Sequence, residues 1–306
     1  MPVILVMGAN GFIGRHIAAD FAARPDITVV GGGLGAAPEG LEKGWLELDL
    51  LAGDGRLAAE LRRIAPAALV NCAGATVGST ADLFRLNVLT TDAILSALRD
   101  SGAPPRLVHL GSAAEYGPGP QGAPVSEAAF PLPVSPYGIA KLAATYLVLA
   151  AARQGQNAIV LRVFNALGPG MPENSLPGAA TRRLAAALAS GSRRVEFGPL
   201  GSVRDFIDVR DISSAVLAAS LGGTVPPLIN VATGQGHTAR DLVRGLASAM
   251  GYDGEIGEDA ASASPRSADA AWQVADVSIA RNALDWEPAH DLESSVRFMA
   301  ESLAPR

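Results

Sequence analysis

The segment SPYGIAKL at residues 135–142 places a tyrosine and a lysine four residues apart. Residues at i and i+4 share one face of a helix, so the Lys141 ammonium can lie close to the Tyr137 phenol. A nearby positive charge favours the phenolate and lowers a tyrosine pKa from about 10, which makes the phenol usable for proton transfer near neutral pH. By itself the spacing is common, and a packed tyrosine beside a solvated lysine is then the simpler interpretation. The pair therefore indicates chemistry only if other elements place reactive groups beside it.

The first such element is a glycine pattern near the N-terminus. An apolar run, VILVMG, predicts a strand and passes through G-x-x-G-x-x-G into helical spacing. The first glycine permits the tight turn, the second lets backbone amides approach a pyrophosphate, and the third lets the helix pack on the strand. This context favours a dinucleotide site over a structural turn. The residues expected to contact the cofactor here are Gly8, Gly11, Phe12, Ile13, Gly14 and Arg15.

The second predicted strand, ITVVGGG, bears on the choice between NAD and NADP. About 20 residues after the glycines, a carboxylate usually accepts hydrogen bonds from the ribose hydroxyls of NAD. Gly31, Gly32 and Gly33 stand there instead, so nothing would repel a 2'-phosphate. Arg15 is a candidate partner for that phosphate. The sequence thus predicts NAD(P)(H), with a slight preference for NADP(H).

Two further strand ends should complete the cofactor site. Asp49, followed by Leu50, is expected to end the third strand and to accept a hydrogen bond from the adenine amino group; the alternative is an Asp that caps the following helix. The fourth strand, expected within residues 67–75, ends in small residues, and Ala73 would let the cofactor lie against the backbone. Cys72 beside it is interpreted as a small buried hydrophobe.

Composition excludes several classes of function. The chain has 306 residues, 49% hydrophobic and 18% charged, with a net charge of -6 and no Lys/Arg run longer than two. We therefore expect no nucleic-acid partner and no binding to anionic membranes. One cysteine and four scattered histidines predict no metal site, and no apolar stretch of about 20 residues predicts a membrane span. A small-molecule substrate and a cytoplasmic location are the expectation.

The motifs GANGFIG, LDL, NCAGA, GSAAEYG and SPYGIAK occur in the order and spacing of the extended short-chain dehydrogenase/reductase family, which this chain resembles over nearly its whole length. The resemblance implies that Tyr137 is the general acid/base and that Lys141 holds the nicotinamide ribose and lowers the tyrosine pKa. It also implies that Ser112, four residues before the tyrosine of GSAAEYG, polarises the substrate oxygen. His109, inside the preceding strand, is interpreted as structural.

The second half resembles the branch of that family that acts on nucleotide-diphospho-sugars. RVFN followed by GPG implies that Asn165 contacts the diphosphate, and VRDF and PRSAD imply that Arg204 and Arg266 bind the phosphates. A guanidinium pairs well with phosphate oxygens, although either arginine could instead form a surface ion pair. Dehydratases of this branch carry acidic residues where this chain has Ala113 and Ala114, which disfavours a dehydratase.

The arrangement of Glu115 directly before a tyrosine resembles reductases of 4-keto-6-deoxy nucleotide sugars. The expected reaction is NAD(P)-dependent reduction of such a ketone. The alternatives are a redox-neutral nucleotide-sugar 4-epimerase with tightly bound NAD and, in another class, a non-catalytic NAD(P)-sensing binding protein.

The expected fold is α/β: a Rossmann doubly wound parallel sheet with a smaller C-terminal substrate-binding lobe. Residues 1–164 should form the NAD(P)-binding domain, to which the chain returns at about 204–232, and 165–306 should mainly form the nucleotide-sugar-binding lobe. The apolar helices after Asn87 and after Lys141 further predict a homodimer, because the resemblance implies that such helices form a four-helix bundle between subunits.

Overall fold

A parallel β-sheet of seven strands forms the centre of the protein. A computed structural model describes residues 1–259 and 271–303. The strand order is β11-β6-β5-β4-β1-β2-β3, and every neighbouring pair is parallel. The strands of this sheet are β1 (Val3–Met7), β2 (Thr28–Gly33), β3 (Trp45–Glu47), β4 (Ala68–Asn71), β5 (Arg106–Ser112), β6 (Ala158–Val163) and β11 (Leu228–Val231).

Helices cover both faces of this sheet, and the alternation of side chains along a strand shows why. In β1, Ile4 and Val6 belong to one apolar core, while Leu5 and Met7 belong to the other. The first core includes residues of α1 (Phe12–Ala22) and α7 (Val209–Leu221), which contact each other; the second includes α2, α4 and α5. The expected Rossmann arrangement is confirmed. The remaining helices of this unit are α2 (Arg56–Ile64), α3 (Thr80–Phe84), α4 (Thr90–Asp100) and α5 (Pro136–Arg153).

A separate apolar core lies in the second half of the chain. Leu184, Phe197, Leu242, Leu246 and Met299 are buried in it. It is built mainly from α6 (Leu176–Ser190), α8 (Ala239–Ala249), α10 (Leu292–Glu301) and the short strands β8 (Arg194–Phe197) and β13 (Glu255–Glu258). The other elements of the second half of the chain are β7 (Asn165–Leu167), β9 (Val203–Arg204), β10 (Phe206–Asp208), β12 (His237–Thr238), β14 (Trp272–Gln273) and α9 (Ser278–Leu284), of which α9 packs into the first core.

Two strands end earlier than the sequence indicated, for the same physical reason. The third strand ends at Glu47 rather than at Asp49, because the Asp49 carboxylate accepts a hydrogen bond from the Leu51 amide at 2.9 Å and turns the chain. The fourth ends at Asn71, whose side-chain oxygen accepts from the Ala73 amide at 3.1 Å. Side-chain turns of this kind compete with strand pairing.

The helix that the sequence predicted after Asn87 begins several residues before Asn87. α3 continues through a π-helical turn, Arg85–Leu89, into α4. Asn87 is buried in that turn and donates to the carbonyls of Ala75 and Leu83. Within the two described segments, no helix is long and apolar enough to cross a membrane.

Candidate active site

The glycine turn between β1 and α1 has the geometry of an anion-binding site. Gly8 has a φ of +76°, and a side chain there would place Cβ 2.6 Å from the Ala73 backbone nitrogen. At Gly14, Cβ would lie 2.1 Å from the Gly8 carbonyl oxygen. α1 follows at Phe12 without a side-chain cap and without an acidic residue in its first turn. Its first amides, including those of Phe12 and Ile13, are thus available to a pyrophosphate, and the residues present fit a dinucleotide.

The Asn10 side chain lies beside the end of β2, at the place where NAD-binding sites usually carry a carboxylate. A Cβ at Gly33 would lie 2.9 Å from the Asn10 side-chain oxygen, and Asn10 donates to the Leu34 carbonyl at 2.7 Å. The Trp45 indole donates to the Gly35 carbonyl at 2.9 Å, which fixes the next residues. This corner is therefore lined by backbone, an amide and an indole.

Arg15 has a partner that the sequence did not predict. Its guanidinium donates to the carbonyls of Pro169 and Gly170 at 2.8 and 2.9 Å, and His16 Nε2 lies 2.9 Å from the same Pro169 oxygen. Gly170 has a φ of +71°, and its Cβ would collide with the Arg15 guanidinium. The helix that faces the pyrophosphate site thus also holds the GPG segment.

The other predicted cofactor residues lie along the same edge of the sheet. Asp49 is exposed, Leu50 is half-buried, and Ala73 lies against the Gly8 turn. Burial raises the pKa of the neighbouring Cys72 thiol to about 12, so the thiol stays protonated at neutral pH. The residue is half-buried rather than fully buried and packs against the first apolar core, in line with its interpretation as a hydrophobe.

Ser112 is the last residue of β5 and caps the 3-10 turn Ala113–Glu115. Its hydroxyl accepts from the Ala114 amide at 3.2 Å, and its own amide donates to the Glu115 carboxylate at 2.8 Å. The capping box holds the serine at the carboxyl end of its strand, where a doubly wound sheet opens toward ligands.

α5 brings Tyr137 and Lys141 to that strand end. The Ser135 hydroxyl caps the helix by accepting from the Gly138 amide, and Pro136 occupies the first turn. A Cβ at Gly138 would lie 2.4 Å from the Ala114 carbonyl oxygen, so this glycine lets the first turn of α5 approach the Ser112 loop. The residues that carry a hydroxyl, a phenol and an amine, Ser112, Tyr137 and Lys141, therefore lie on elements that meet at one end of the sheet, an arrangement suited to proton transfer.

Lys141 is buried and tied to the central sheet. Its Nζ donates to the Leu110 carbonyl at 2.6 Å, two residues before Ser112. Burial lowers the pKa of Lys141, and the negative charge of Glu115 opposes that effect. The lysine is thus held near Ser112, in an environment that destabilises its ammonium form.

A buried ion pair beneath these residues was missed by the sequence interpretation. The Arg162 Nε donates to the Glu115 carboxylate at 2.7 Å, with both side chains at most 2% exposed. The Arg162 guanidinium also lies over the Tyr116 ring, 4.3 Å from its centroid. Burial raises the pKa of Glu115, against the charges of Arg162 and Lys141. A charged residue inside the otherwise apolar β6, AIVLRV, was the available signal, since a buried charge requires a partner.

Two of the predicted substrate residues, Asn165 and Arg204, lie between β6 and β11 in the chain. Asn165 begins β7 and donates to the Asp205 carbonyl at 2.9 Å, and Arg204 lies half-buried in β9. Arg266 lies outside the described residues. The buried Asp205 carboxylate accepts from the amides of Thr233 and Gly234. Asp205, which the sequence interpretation did not select, therefore holds together the strand that carries Arg204 and the loop after β11.

One further ionisable side chain, His109, bears on the chemistry. His109 is fully buried, its Nδ1 lies 3.0 Å from the Asn71 amide nitrogen, and burial lowers its pKa well below 6.5. It is therefore neutral at physiological pH, in line with a structural role.

Over the portion of the chain that is described, no cluster of His, Cys, Asp and Glu side chains is placed to hold a metal ion.

Relatives with assigned activities align with almost the whole chain. One is dTDP-6-deoxy-L-talose 4-dehydrogenase (NAD(P)(+)) of Kitasatospora kifunensis, 37% identical over 99% of this chain and 96% of that protein. Another is GDP-6-deoxy-D-mannose reductase of Pseudomonas aeruginosa, 32% identical over 84% of this chain and 83% of that protein.

Solved structures show the same fold. RMD from Pseudomonas aeruginosa complexed with NADPH matches with a TM-score of 0.82 at 26% identity, over 98% of this chain and 99% of that one. UDP-glucose 4-epimerase from Thermotoga maritima with UDP-glucose matches with a TM-score of 0.83 at 26% identity, over 98% of both chains. The sequence profile of the NAD dependent epimerase/dehydratase family covers residues 4–232. The chain therefore belongs to this family of extended short-chain dehydrogenases/reductases, which confirms the resemblance drawn from its motifs.

Proposed function

We propose that this protein reduces the 4-keto group of a 6-deoxy nucleotide-diphospho-sugar with NAD(P)H. The observation that carries the proposal is the end of β5, where Ser112 meets the helix that bears Tyr137 and Lys141. Positions 113 and 114 are alanines, and the Glu115 carboxylate forms an ion pair with Arg162. This loop therefore offers no free carboxylate for dehydration. The 4-dehydrogenase and 6-deoxymannose reductase relatives support this reaction class.

In this mechanism the chain's own residues move the proton. The hydride for the ketone carbon would come from a reduced nicotinamide held at the glycine turn. The Ser112 hydroxyl donates a hydrogen bond to the ketone oxygen, and Tyr137 gives that oxygen its proton, so that the alcohol forms and a phenolate remains. The Lys141 ammonium stabilises the phenolate until solvent returns the proton. Residues 8–14 bind the pyrophosphate, and Gly8, Gly11 and Gly14 allow the backbone to approach it.

Substrate binding is proposed for the second half of the chain. Asn165 and Arg204 lie on neighbouring segments joined through Asp205, and Arg266 is assigned with them by the resemblance. Arginines and an amide pair well with diphosphate oxygens. On this basis, residues 165–203 and 233–306 form most of the nucleotide-sugar lobe and 1–164 the cofactor domain.

For the cofactor we propose a preference for NADP(H). The support is the end of β2, where Gly33 stands in place of a carboxylate. Arg15 is the cationic candidate for the 2'-phosphate. Because its guanidinium already donates to the carbonyls of Pro169 and Gly170, it must either bind the phosphate in addition to these carbonyls or release them when the phosphate binds.

We also propose a homodimer formed through α4 and α5. Ile139 and Tyr146 of α5 and Leu89, just before α4, are large apolar side chains that are 45–53% exposed. Sedimentation analysis of the protein and of a Tyr146→Glu variant tests this, because a charge in the interface should shift a dimer to monomers. A monomer in both cases contradicts the dimer.

A redox-neutral 4-epimerase is the second candidate, favoured by the match to UDP-glucose 4-epimerase with UDP-glucose over 98% of the chain. The two reactions differ in how they treat the cofactor. An epimerase oxidises and re-reduces one carbon and retains its dinucleotide, whereas a reductase consumes NAD(P)H at each turnover.

The deciding experiment starts with purified protein to which no cofactor has been added. Denaturation followed by identification of released dinucleotide comes first, and then NADPH oxidation with dTDP- and GDP-linked 4-keto-6-deoxy sugars. Cofactor-free protein that oxidises NADPH supports the reductase; stoichiometric NAD+ and no NADPH oxidation would support the epimerase.

Tyr137→Phe should lower either activity about 10²–10⁴-fold, while Tyr146→Phe on the same helix is the matched control. Unchanged activity of Tyr137→Phe would reject the tyrosine as the acid.

A further inference from the structure

The Glu115 carboxylate joins both sides of the proposed active site. One of its oxygens accepts from the Ser112 amide at 2.8 Å and from the Thr145 hydroxyl at 3.0 Å, and the other accepts from Arg162. Thr145 lies four residues after Lys141 and therefore on the same face of α5. Lys141 in turn donates to Leu110 on the strand that ends at Ser112. Strand, turn and helix thus form a closed ring of hydrogen bonds through Glu115.

The hydrogen bonds at Glu115 come entirely from donors. An amide, a hydroxyl and a guanidinium all donate to it, which is the pattern of an ionised carboxylate. The side chain is fully buried, so water does not screen its charge. Burial raises the pKa of Glu115, but these three donors and the charges of Arg162 and Lys141 favour the ionised form, so the pattern assigns a negative charge to Glu115 beneath the end of β5.

The charges around Lys141 leave Glu115 as its counter-charge. The ionisable groups that face the lysine are Cys72 directly after β4, His109 on β5 and Glu115 on the turn. The Cys72 thiol has a pKa of about 12, and the His109 imidazole has a pKa well below 6.5, so both are neutral at physiological pH. Tyr137 lies four residues before Lys141 on the same helix and is the phenol whose ionisation the lysine is proposed to favour.

We propose that Glu115 is a positioning residue for the reaction: its carboxylate is the counter-charge of Lys141 and ties the Ser112 loop to the helix that carries Tyr137. The importance of this arrangement for catalysis rests on the roles proposed above for Lys141 and Tyr137. Without the carboxylate, the buried lysine would lose its proton at a lower pH, because burial disfavours the ammonium and no other anion opposes it within the described residues. The positive charge that favours the Tyr137 phenolate would then be lost.

The composition of the chain makes a direct test practical. The protein contains two lysines, the buried Lys141 and the exposed Lys43. Protein labelled with ¹³C at lysine Cε gives one resonance for each, and the shift of each resonance follows the loss of its ammonium proton. Lys43 serves as the internal reference. No substrate is needed for this measurement, so it does not depend on the proposed reaction.

Three variants separate charge from structure. Glu115→Gln alone leaves Arg162 buried without a partner and can fail to fold, so Glu115→Gln with Arg162→Gln is the main variant, in which the two amides can pair. Thr145→Val removes one hydrogen bond to Glu115 without changing charge. We expect the Lys141 midpoint to fall by about one pH unit or more in the double variant and to stay unchanged in Thr145→Val, with Lys43 constant in both.

Kinetics on the same variants give the second readout. For ketone reduction, the alkaline limb of the kcat/KM profile should move to lower pH in the double variant, because that variant loses the Glu115 charge that opposes proton loss from Lys141, whereas the Arg162 charge, which it also loses, is not among those that act on this lysine. An unchanged Lys141 midpoint in the folded double variant would overturn the proposal. A shifted midpoint in a protein that reduces no 4-keto-6-deoxy sugar nucleotide would support the counter-charge and reject the proposed function instead.

Discussion

The Glu115 carboxylate and the Arg162 guanidinium lie 2.7 Å apart, on two segments separated by 47 residues, and both are buried. Burial of two charges costs free energy that their attraction only partly offsets, so such a pair adds little net stability. The pair does, however, place one fixed negative charge next to Lys141 and the Ser112 turn. The pair therefore fixes the position of a charge at the site, and it contributes little to the stability of the fold.

Breaking this pair on one side should destabilise the protein far more than replacing both partners. We expect Glu115→Gln to lower the free energy of unfolding by about 3–5 kcal/mol, because Arg162 stays charged and buried without a partner. The double variant Glu115→Gln with Arg162→Gln should recover most of that loss. Urea unfolding followed by circular dichroism measures both, and a single variant no less stable than the double one would contradict the prediction.

Replacement of Gly138 tests the close approach of α5 to the Ser112 loop. In Gly138→Ala the new Cβ would lie 2.4 Å from the Ala114 carbonyl oxygen, so backbone has to move and Tyr137 moves with it. We expect kcat/KM to fall about 10- to 100-fold with little loss of fold. Gly245→Ala in α8 is the matched control, since its Cβ meets only the Val296 side chain at 3.4 Å. The control should keep full activity; equal effects of the two substitutions would refute the argument.

A carboxylate at the end of β2 should reverse the proposed cofactor preference. In Gly33→Asp the negative charge would repel a 2'-phosphate and accept hydrogen bonds from the ribose hydroxyls of NADH. Gly33→Asn has nearly the same shape, meets the same Asn10 side chain and carries no charge. We expect the ratio of kcat/KM for NADPH to that for NADH to fall at least about tenfold in Gly33→Asp relative to Gly33→Asn. Equal ratios would show that the ribose does not lie at this corner.

The single cysteine should be unreactive in the folded protein. Burial holds the Cys72 pKa at about 12, so the thiolate that alkylating reagents attack is scarce below that pH. Iodoacetamide at pH 8 should modify the native protein at least about 100 times more slowly than the same protein in denaturant. Mass spectrometry follows the reaction. Fast labelling of native protein would mean that the thiol is exposed or ionised, and Cys72 would then count among the charges around Lys141.

Local features of the sequence sufficed to predict the glycine turn after β1 and the helix that carries Tyr137 and Lys141. The turn at Gly8, Gly11 and Gly14 follows from backbone sterics, and the common helix face of Tyr137 and Lys141 follows from helical periodicity. Both depend on residues close together in the chain. For the same reason the parallel sheet could be predicted, since apolar strand runs alternate with helical spacing along the first half.

Contacts between distant residues were decided only by the tertiary structure. The partners of Arg15 lie 154 and 155 residues away, and no local pattern distinguishes a guanidinium that binds phosphate from one that binds carbonyls. The sequence distinguished Glu115 only by its place directly before Tyr116, and its charged partner became evident only in the structure, where β6 brings Arg162 against it. Folding of the sheet sets which charges are buried together, because burial removes the water that would otherwise screen them. The sequence by itself determined which residue types are available for proton transfer, and the packing of distant strands decided which charges are buried together around Lys141.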